Sequence, residues 1–362
     1  MRVLIINTSE RTGGAAIAAN RLMDALRNNG IQAKMLVRDK QTSKMTVIGL
    51  NKSLWKIWQF VWERIVIWKA NQFKKHNLFM VDIANTGTDI TTLPEFKQAD
   101  IIHLHWINQG MLSLAGLEDL IRLGKPIVWT MHDMWCLTGI CHHALECERY
   151  KEDCGNCQFI KQGNVKNDLS HSTWLRKKNL YNSTNIHFVP VSTWLAGKCA
   201  ESALLGNQHV EVIHNAFPIE FYKTKPSSPV QGFDIDYNKH LILMGAARLD
   251  DPIKGFEYAV EALNEFHKNY PQLAEKSEAV FFGDIRDASL LENIKMSYRH
   301  LGRINDPKAI RQLYASAQVV ISTSLYETLP GTLIEGQAAG CVPVSFGKGG
   351  QADIIDHKET GF

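Results

Sequence analysis

The segment SLYETLPGTLIEGQAAGCVPV, residues 324–344, carries the densest chemistry in the chain. Two glutamates, Glu327 and Glu335, stand eight positions apart in it. The apolar run ahead of them reads as a strand, and the residues from about Thr332 onward read as a helix. One carboxylate then lies on a loop and the other on a helix. The start of such a helix offers backbone N–H groups that attract a phosphate, and nearby carboxylates can accept hydrogen bonds from sugar hydroxyls. A second segment, GAARLDDPIKG at 245–255, follows another predicted strand and supplies two cations, Arg248 and Lys254. Alone, that pair is read equally well as a solvated loop. A third, TSERTGGAA at 8–16, joins the first strand to the first helix. Gly13 and Gly14 let backbone approach a ligand closely, though a plain tight turn accounts for them as well, and the spacing is not that of a dinucleotide fingerprint. In the fourth, WTMHD at 129–133, His132 stands at the carboxyl end of a predicted strand. Open α/β sheets bind ligands at that edge; a capping or core histidine is the alternative. His103, His105 and His214 read as structural.

The elements that must position these residues are short apolar runs alternating with helical patterns. Strands are expected at 3–7, 34–38, 101–105, 127–131, 187–191 and 210–213, then at 241–245, 279–283, 319–323 and 342–346. Their near-continuous Val, Ile and Leu content predicts parallel strands buried on both faces. Helical patterns between them, as at 16–27, 256–267 and 307–316, complete βαβ units. At 362 residues and 45% hydrophobic content the chain is long enough for two domains. The stretch 216–238, with Pro218, Pro226 and Pro229, reads as a linker between an α/β domain at 1–215 and another at 239–362.

Residues 51–76 stand apart within the first domain. Trp55, Trp58, Trp62 and Trp68 lie among Lys52, Lys56, Arg64, Lys69, Lys74 and Lys75. The first three tryptophans share one helix face. Packing of that face on the domain is one expectation, and contact with anionic lipid headgroups is the other. The net charge of +3, from 40 Lys+Arg against 37 Asp+Glu, argues against a nucleic-acid partner. The opening residues are too short an apolar run for a signal peptide, and no stretch is long enough for a membrane span. The expected location is therefore cytoplasmic, with peripheral contact at the inner face of the plasma membrane if the tryptophans meet lipid.

Five of the seven cysteines fall in the segment 136–157. Clustered cysteines in a cytoplasmic protein point to metal or redox chemistry more than to disulfides. Cys154 and Cys157 have the tight spacing of a zinc knuckle, and with Cys141 and Cys147 could close a four-thiolate structural zinc site. His142 or His143 could replace one ligand; disulfides and free thiols are the alternatives. Cys199 and Cys341 read as ordinary buried cysteines.

Taken together, the motifs resemble those of family 4 glycosyltransferases, retaining enzymes of the GT-B fold with two Rossmann-like domains facing a cleft. The glutamate pair, its loop and the trailing Gly340, Pro343 and Val344 match the family's E-x7-E signature. The resemblance implies that Glu327 faces the donor sugar and Glu335 binds the nucleotide ribose. Gly331 and Thr332 would offer backbone N–H groups to the diphosphate, and Arg248 and Lys254 would neutralise it. The loop of Gly13 and Gly14 would lie across the cleft from the donor phosphates, and His132 would sit by the transferred sugar. Gly283 and the segment of Arg303 and Ile304 would complete the donor site, the latter near the nucleobase. A similar cysteine-rich insertion occurs in a subgroup resembling exopolysaccharide (colanic-acid-type) enzymes. The implied activity is transfer of a hexose from a nucleoside diphosphate sugar, UDP- or GDP-linked, to a saccharide or lipid-linked saccharide acceptor in capsule or exopolysaccharide synthesis. No catalytic cofactor is implied, since cations and helix dipole supply the positive charge. The family continues past residue 362, so the second domain is expected to be truncated. A GT-B nucleotide-sugar epimerase and a non-catalytic or truncated nucleotide-sugar-binding protein are the rival readings.

Overall fold

The computed structural model describes all residues except 51–53, 76, 162–166, 183, 185, 224–232 and 234. Two compact units emerge, Met1–Ala216 and Phe217–Phe362. The first contains β1 (Arg2–Ser9), α1 (Gly14–Asn28), β2 (Gln32–Asp39), β3 (Val47–Gly49), α2 (Leu54–Ala70), α3 (Pro94–Gln98), β4 (Ile101–Leu104), α4 (Leu114–Arg122), β5 (Ile127–Met131), α5 (Leu169–Tyr181), β6 (Ile186–Pro190) and α6 (Thr193–Glu201). Its strands run in the order β3-β2-β1-β4-β5-β6, every neighbouring pair parallel. The central strand shows why. Leu4, Ile5 and Ile6 are all buried, and Val3 and Ile5 share a core cluster with Ala19 and Met23 of α1. A strand apolar on both faces is stable only with layers on both sides, which βαβ crossovers supply.

The second unit contains α7 (Ile219–Lys223), β7 (His240–Arg248), α8 (Phe256–Asn269), α9 (Pro271–Glu275), β8 (Ser277–Asp284), α10 (Ser289–Glu292), β9 (Tyr298–His300), α11 (Pro307–Ser316), β10 (Val319–Ser322), α12 (Gly331–Ala339) and β11 (Val342–Ser345). The order is β11-β10-β7-β8-β9, again parallel throughout. Alternate residues of β7 and β8 feed two cores. Leu241, Leu243, Val280 and Phe282 pack with Leu313, Tyr314 and Leu333 of α11 and α12. Met244, Ala279 and Phe281 pack with Phe256, Ala259 and Leu263 of α8.

Two sequence expectations are corrected, and two strands are added. The run 210–213 is not a strand: Val210 makes one isolated bridge to Phe188, and Val212 and Ile213 are exposed. The strands β3 and β9, three residues each, were too short to stand out as apolar runs. The stretch 216–238 is not all linker, because α7 folds onto the second unit. Tyr222 is buried in that core, and the Arg311 guanidinium lies 4.7 Å from the Phe221 ring centre. Pro226 and Pro229 fall outside the described residues.

Helix α2 is turned opposite to the core-packing expectation. Trp55, Trp58, Trp62 and Trp68 are 67%, 48%, 45% and 37% exposed, while Glu63, Arg64 and Ile67 are buried. Arg64 therefore does not belong to the exposed basic face; Lys52 and the side chain of Lys56 lie outside the described residues. No helix among the described residues is long and apolar enough to cross a membrane. The orientation makes a prediction. Ile67→Ala should cost about 2–5 kcal/mol as a buried large-to-small change. The double change Trp58→Gln with Trp62→Gln should stay within about 1 kcal/mol, as for surface sites. Urea unfolding midpoints decide; the reverse ranking would mean the tryptophans are core.

Candidate functional site

In a parallel sheet all carboxyl ends lie along one edge, and in the second unit that edge carries the motif residues. The Lys254 ammonium, from the loop after β7, is ion-paired with Glu327 Oε1, from the loop after β10. Hydrogen bonds join the two loops. Leu325 N–H donates to the Ile253 carbonyl at 2.8 Å, and the Thr323 hydroxyl donates to the Gly255 carbonyl at 2.8 Å. The approach leaves no room for a side chain at 255. Gly255 has φ +60°, and a Cβ there would stand 2.3 Å from the Thr323 carbonyl oxygen. On its other side Glu327 accepts a 2.9 Å bond at its carbonyl from Gly350 N–H, and a Cβ on Gly349 would lie 2.2 Å from the same oxygen.

Arg248 ends β7, with its guanidinium 3.4 Å from Asp250 and 3.2 Å from Asp251. Its Nε is buried without a hydrogen-bond partner. Helix α12 begins at Gly331 behind Pro330, which gives no side-chain cap. The Glu335 carboxylate stands over that first turn, Oε1 lying 3.9 Å from where a Gly331 Cβ would be. Gly283, at φ +125°, ends β8 so close to β7 that a Cβ would lie 1.9 Å from the Ala246 carbonyl oxygen. Its N–H donates to the Gly302 carbonyl and its own carbonyl accepts from His300 Nε2, each at 2.8 Å. Arg303 faces Asp284 at 3.4 Å in solvent, and the Ile304 side chain packs on the core. An uncapped helix start, two cations and two carboxylates on one sheet edge can hold a polyanion and recognise hydroxyls together.

In the first unit Gly13 precedes α1 with φ +89°, and a Cβ on Gly13 or Gly14 would meet nothing within 4 Å. His132 follows β5, and its Nε2 is 2.8 Å from Nδ1 of His105, which follows β4. Two more contacts tie the same strand ends: His103 Nε2 to Thr130 Oγ1 at 2.8 Å, and Trp106 Nε1–H to Asp133 Oδ2 at 3.0 Å. His105, read from sequence as structural, thus touches the candidate His132. Both stood at the ends of expected strands, but the adjacency of β4 and β5 was not readable. Burial pushes the His103 and His132 imidazoles down to about 4 and His105 well below its ordinary value, so all three are neutral near pH 7.

A buried chain of charge lies beside them. His142 is bonded through Nδ1 to Asp133 Oδ2 and through Nε2 to Asp82 Oδ2, each at 2.7 Å. Burial alone would lower its pKa; the Asp133 and Asp82 carboxylates outweigh that and raise it to about 10. Burial likewise opposes the Asp133 charge, but His142 holds its carboxyl down at about 2. Asp82 is also paired with Arg64, and Arg64 lies 3.2 Å from Glu63. Glu63 Oε1 accepts the N–H groups of Ile83 and Ala84 at 2.9 and 2.8 Å. Burial and then Asp82 lift the Glu63 carboxyl to about 7.

Cys141, Cys147, Cys154 and Cys157 all line one small cavity. Burial pushes the Cys154 and Cys157 thiols up to about 11 and 12, and Cys141 higher. Among the described residues no three His, Cys, Asp or Glu side chains are grouped to hold a metal ion. No disulfide joins these cysteines, which are free thiols. The reading of His142 as a metal ligand is corrected, since carboxylates engage both of its nitrogens. Cys199 and Cys341 are buried.

The neutral imidazoles set a pH dependence. The folded pKa of His103 and His132, about 4, lies below the unfolded value near 6.5. The unfolded chain therefore binds more protons between the two, and stability falls as pH drops through that window. His103→Gln should shrink the loss of urea midpoint between pH 7 and pH 5; an unchanged loss would mean the ring is charged in the folded protein.

Residues 239–362 match the family model for group 1 glycosyl transferases. The chain is 33% identical to an uncharacterized glycosyltransferase of Methanocaldococcus jannaschii, over 78% of this chain and 75% of that protein. It is 26% identical to a putative colanic acid biosynthesis glycosyl transferase of Escherichia coli, over 41% of this chain and 40% of that one. Among solved structures, Anabaena HepE in complex with UDP and glucose superposes with a TM-score of 0.60 at 17% identity, covering 100% of this chain and 85% of that one. The two parallel-sheet units are those of the GT-B fold. By the extent and identity of the archaeal match, supported by the family model, the chain belongs to the group 1 glycosyltransferases.

Proposed function

We propose that the chain is a retaining glycosyltransferase that moves a sugar from a nucleoside diphosphate sugar to a saccharide acceptor in cell-surface polysaccharide synthesis. The observation that carries this reading is the gathering of Arg248, the Lys254–Glu327 pair and the uncapped start of α12, with Glu335 above it, at one edge of the second sheet. The donor's diphosphate is the anion that edge suits. As the glycosidic bond breaks, negative charge grows on the departing diphosphate. Fixed cations and helix N–H groups stabilise that charge more in the transition state than in the ground state. Arg248, Lys254 and the N–H groups of Gly331 and Thr332 take this role.

In the same reading Glu327 faces the sugar and Glu335 takes the ribose hydroxyls. Gly283, Arg303 and Ile304 border the base, and Gly13 and Gly14 offer open backbone to the donor. His132, neutral at working pH, can exchange hydrogen bonds with the transferred sugar, where its contact to His105 fixes the ring. HepE's complex with UDP and glucose and the colanic acid relative support a nucleotide-sugar donor and a polysaccharide product. The exposed tryptophans of α2, with Lys69 on the same helix, suit peripheral contact with anionic lipid, as a lipid-linked acceptor requires.

Two measurements test this reading. UDP, GDP and ADP are each added to the wild type, Arg248→Ala and Glu335→Ala, and melting temperatures are recorded. One diphosphate should stabilise the wild type by mass action, about 2.7 kcal/mol at a hundredfold excess over Kd, and both substitutions should abolish the shift. If none of the three shifts the wild type, the donor site is not one. For the lipid face, sedimentation with phosphatidylglycerol-containing vesicles should exceed that with phosphatidylcholine vesicles. The excess should vanish in the Trp58→Gln, Trp62→Gln double variant; equal sedimentation with both vesicles would count against the contact.

A further inference from the structure

We infer that the cysteine-rich segment is a positioning device for the His105–His132 pair, and that His142 is the residue through which it acts. The inference rests on the placement of His132 at the sugar.

The segment reaches the site through backbone first. Residues 140–142 lie against 80–82: Asp82 N–H donates to the Ile140 carbonyl at 2.9 Å, and His142 N–H donates to the Met80 carbonyl at 3.3 Å. An isolated antiparallel bridge joins Val81 to Cys141 between them. The His142 carbonyl then accepts the Met134 N–H at 2.9 Å, two residues past His132. This path delivers the His142 ring to the point where β4 and β5 end, and there it completes a ladder. His103–Thr130, His105–His132 and Trp106–Asp133 are each separated by 27 positions, so they are successive cross-links between the same two chain segments.

The outermost cross-link depends on His142. Asp133 Oδ2 is shared by Trp106 Nε1–H and His142, while Oδ1 accepts the Trp135 N–H at 2.8 Å. The His142 ring also packs on the Trp106 indole, with centres 5.5 Å apart. Its other nitrogen is anchored on Asp82, which Arg64 of α2 holds from behind. Without His142 the Asp133 carboxylate keeps the Trp106 indole but loses its charged partner, and the buried Asp82 carboxylate loses one of its two. The strand ends would then loosen next to the 2.8 Å contact between His105 and His132. His105 Nε2 is buried without a partner, so among the described hydrogen bonds His132 alone engages the His105 ring.

The test uses the full chain. Histidine nitrogen-15 spectra of the wild type should show one neutral tautomer for His105 and one for His132, assigned through His105→Gln and His132→Gln. In His142→Ala and in Trp106→Phe both rings should show averaged tautomers. Release of nucleoside diphosphate from UDP-glucose, GDP-mannose or ADP-glucose, whichever the wild type uses, should fall about tenfold or more in kcat, as expected for a misplaced reacting group. KM for the donor should stay within about twofold. Unchanged tautomers with kcat within about twofold overturn the inference, even if the melting temperature drops, because that is what a purely structural role gives. Should His142→Ala fail to fold, Trp106→Phe decides alone. If the wild type uses none of the three donors, the transferase reading has failed, and the tautomer pattern still decides the clamp.

Discussion

Strands buried on both faces leave a polar side chain nowhere to go but the ends of the sheet. The central strands β1 and β7 obey this constraint, and the placement of the candidate site follows from it. In the second unit β7, β8 and β10 are apolar almost to their last residue, and then release Arg248, Gly283 and the loop of Glu327 at one edge. The edge is crowded. Glycines at 255, 283 and 349 stand where a Cβ would collide with a neighbouring carbonyl, so backbones close tightly around the Lys254–Glu327 pair. Charges held this rigidly need little reorganisation when a ligand's charge changes, which is what transition-state stabilisation requires.

The first unit handles the same constraint differently, by burying charge. Glu63, Arg64, Asp82, His142 and Asp133 form a linked series of carboxylates and cations beside the strand ends. Such a series is weak evidence for stability, because desolvation offsets much of the Coulombic gain. Its value lies in geometry, since Asp82, His142 and Asp133 each have both ends occupied. The helix that supplies Glu63 and Arg64 carries its tryptophans outward, so α2 ties an apolar surface to a buried ionic core.

Much of the second unit was legible in the sequence because its signals are local. The spacing of Glu327 and Glu335, the helix start at Gly331 and the Arg248/Lys254 loop all sit within one strand–loop–helix each, where period and turn chemistry suffice. The first unit resisted because its site is built from distant segments. His105 and His132 meet only because β4 lies beside β5, and His142 meets Asp82 across 60 positions. The spacing of Cys141, Cys147, Cys154 and Cys157 drew attention to thiols, while the residue beside them, His142, makes the consequential contacts. Of the two readings of α2, core packing of the tryptophans fails for a related reason. A stripe of tryptophans is ordinarily a core stripe, and only the partners of Glu63 and Arg64 show that the charged face is the buried one.

Whether the second unit holds a diphosphate is tested most directly by a crystal structure of the chain with its nucleoside diphosphate. The pyrophosphate is expected against the Arg248 guanidinium, the Lys254 ammonium and the N–H groups of Gly331 and Thr332, with the ribose on Glu335. A nucleotide bound elsewhere, with Lys254 still paired to Glu327 and α12 unengaged, would contradict it.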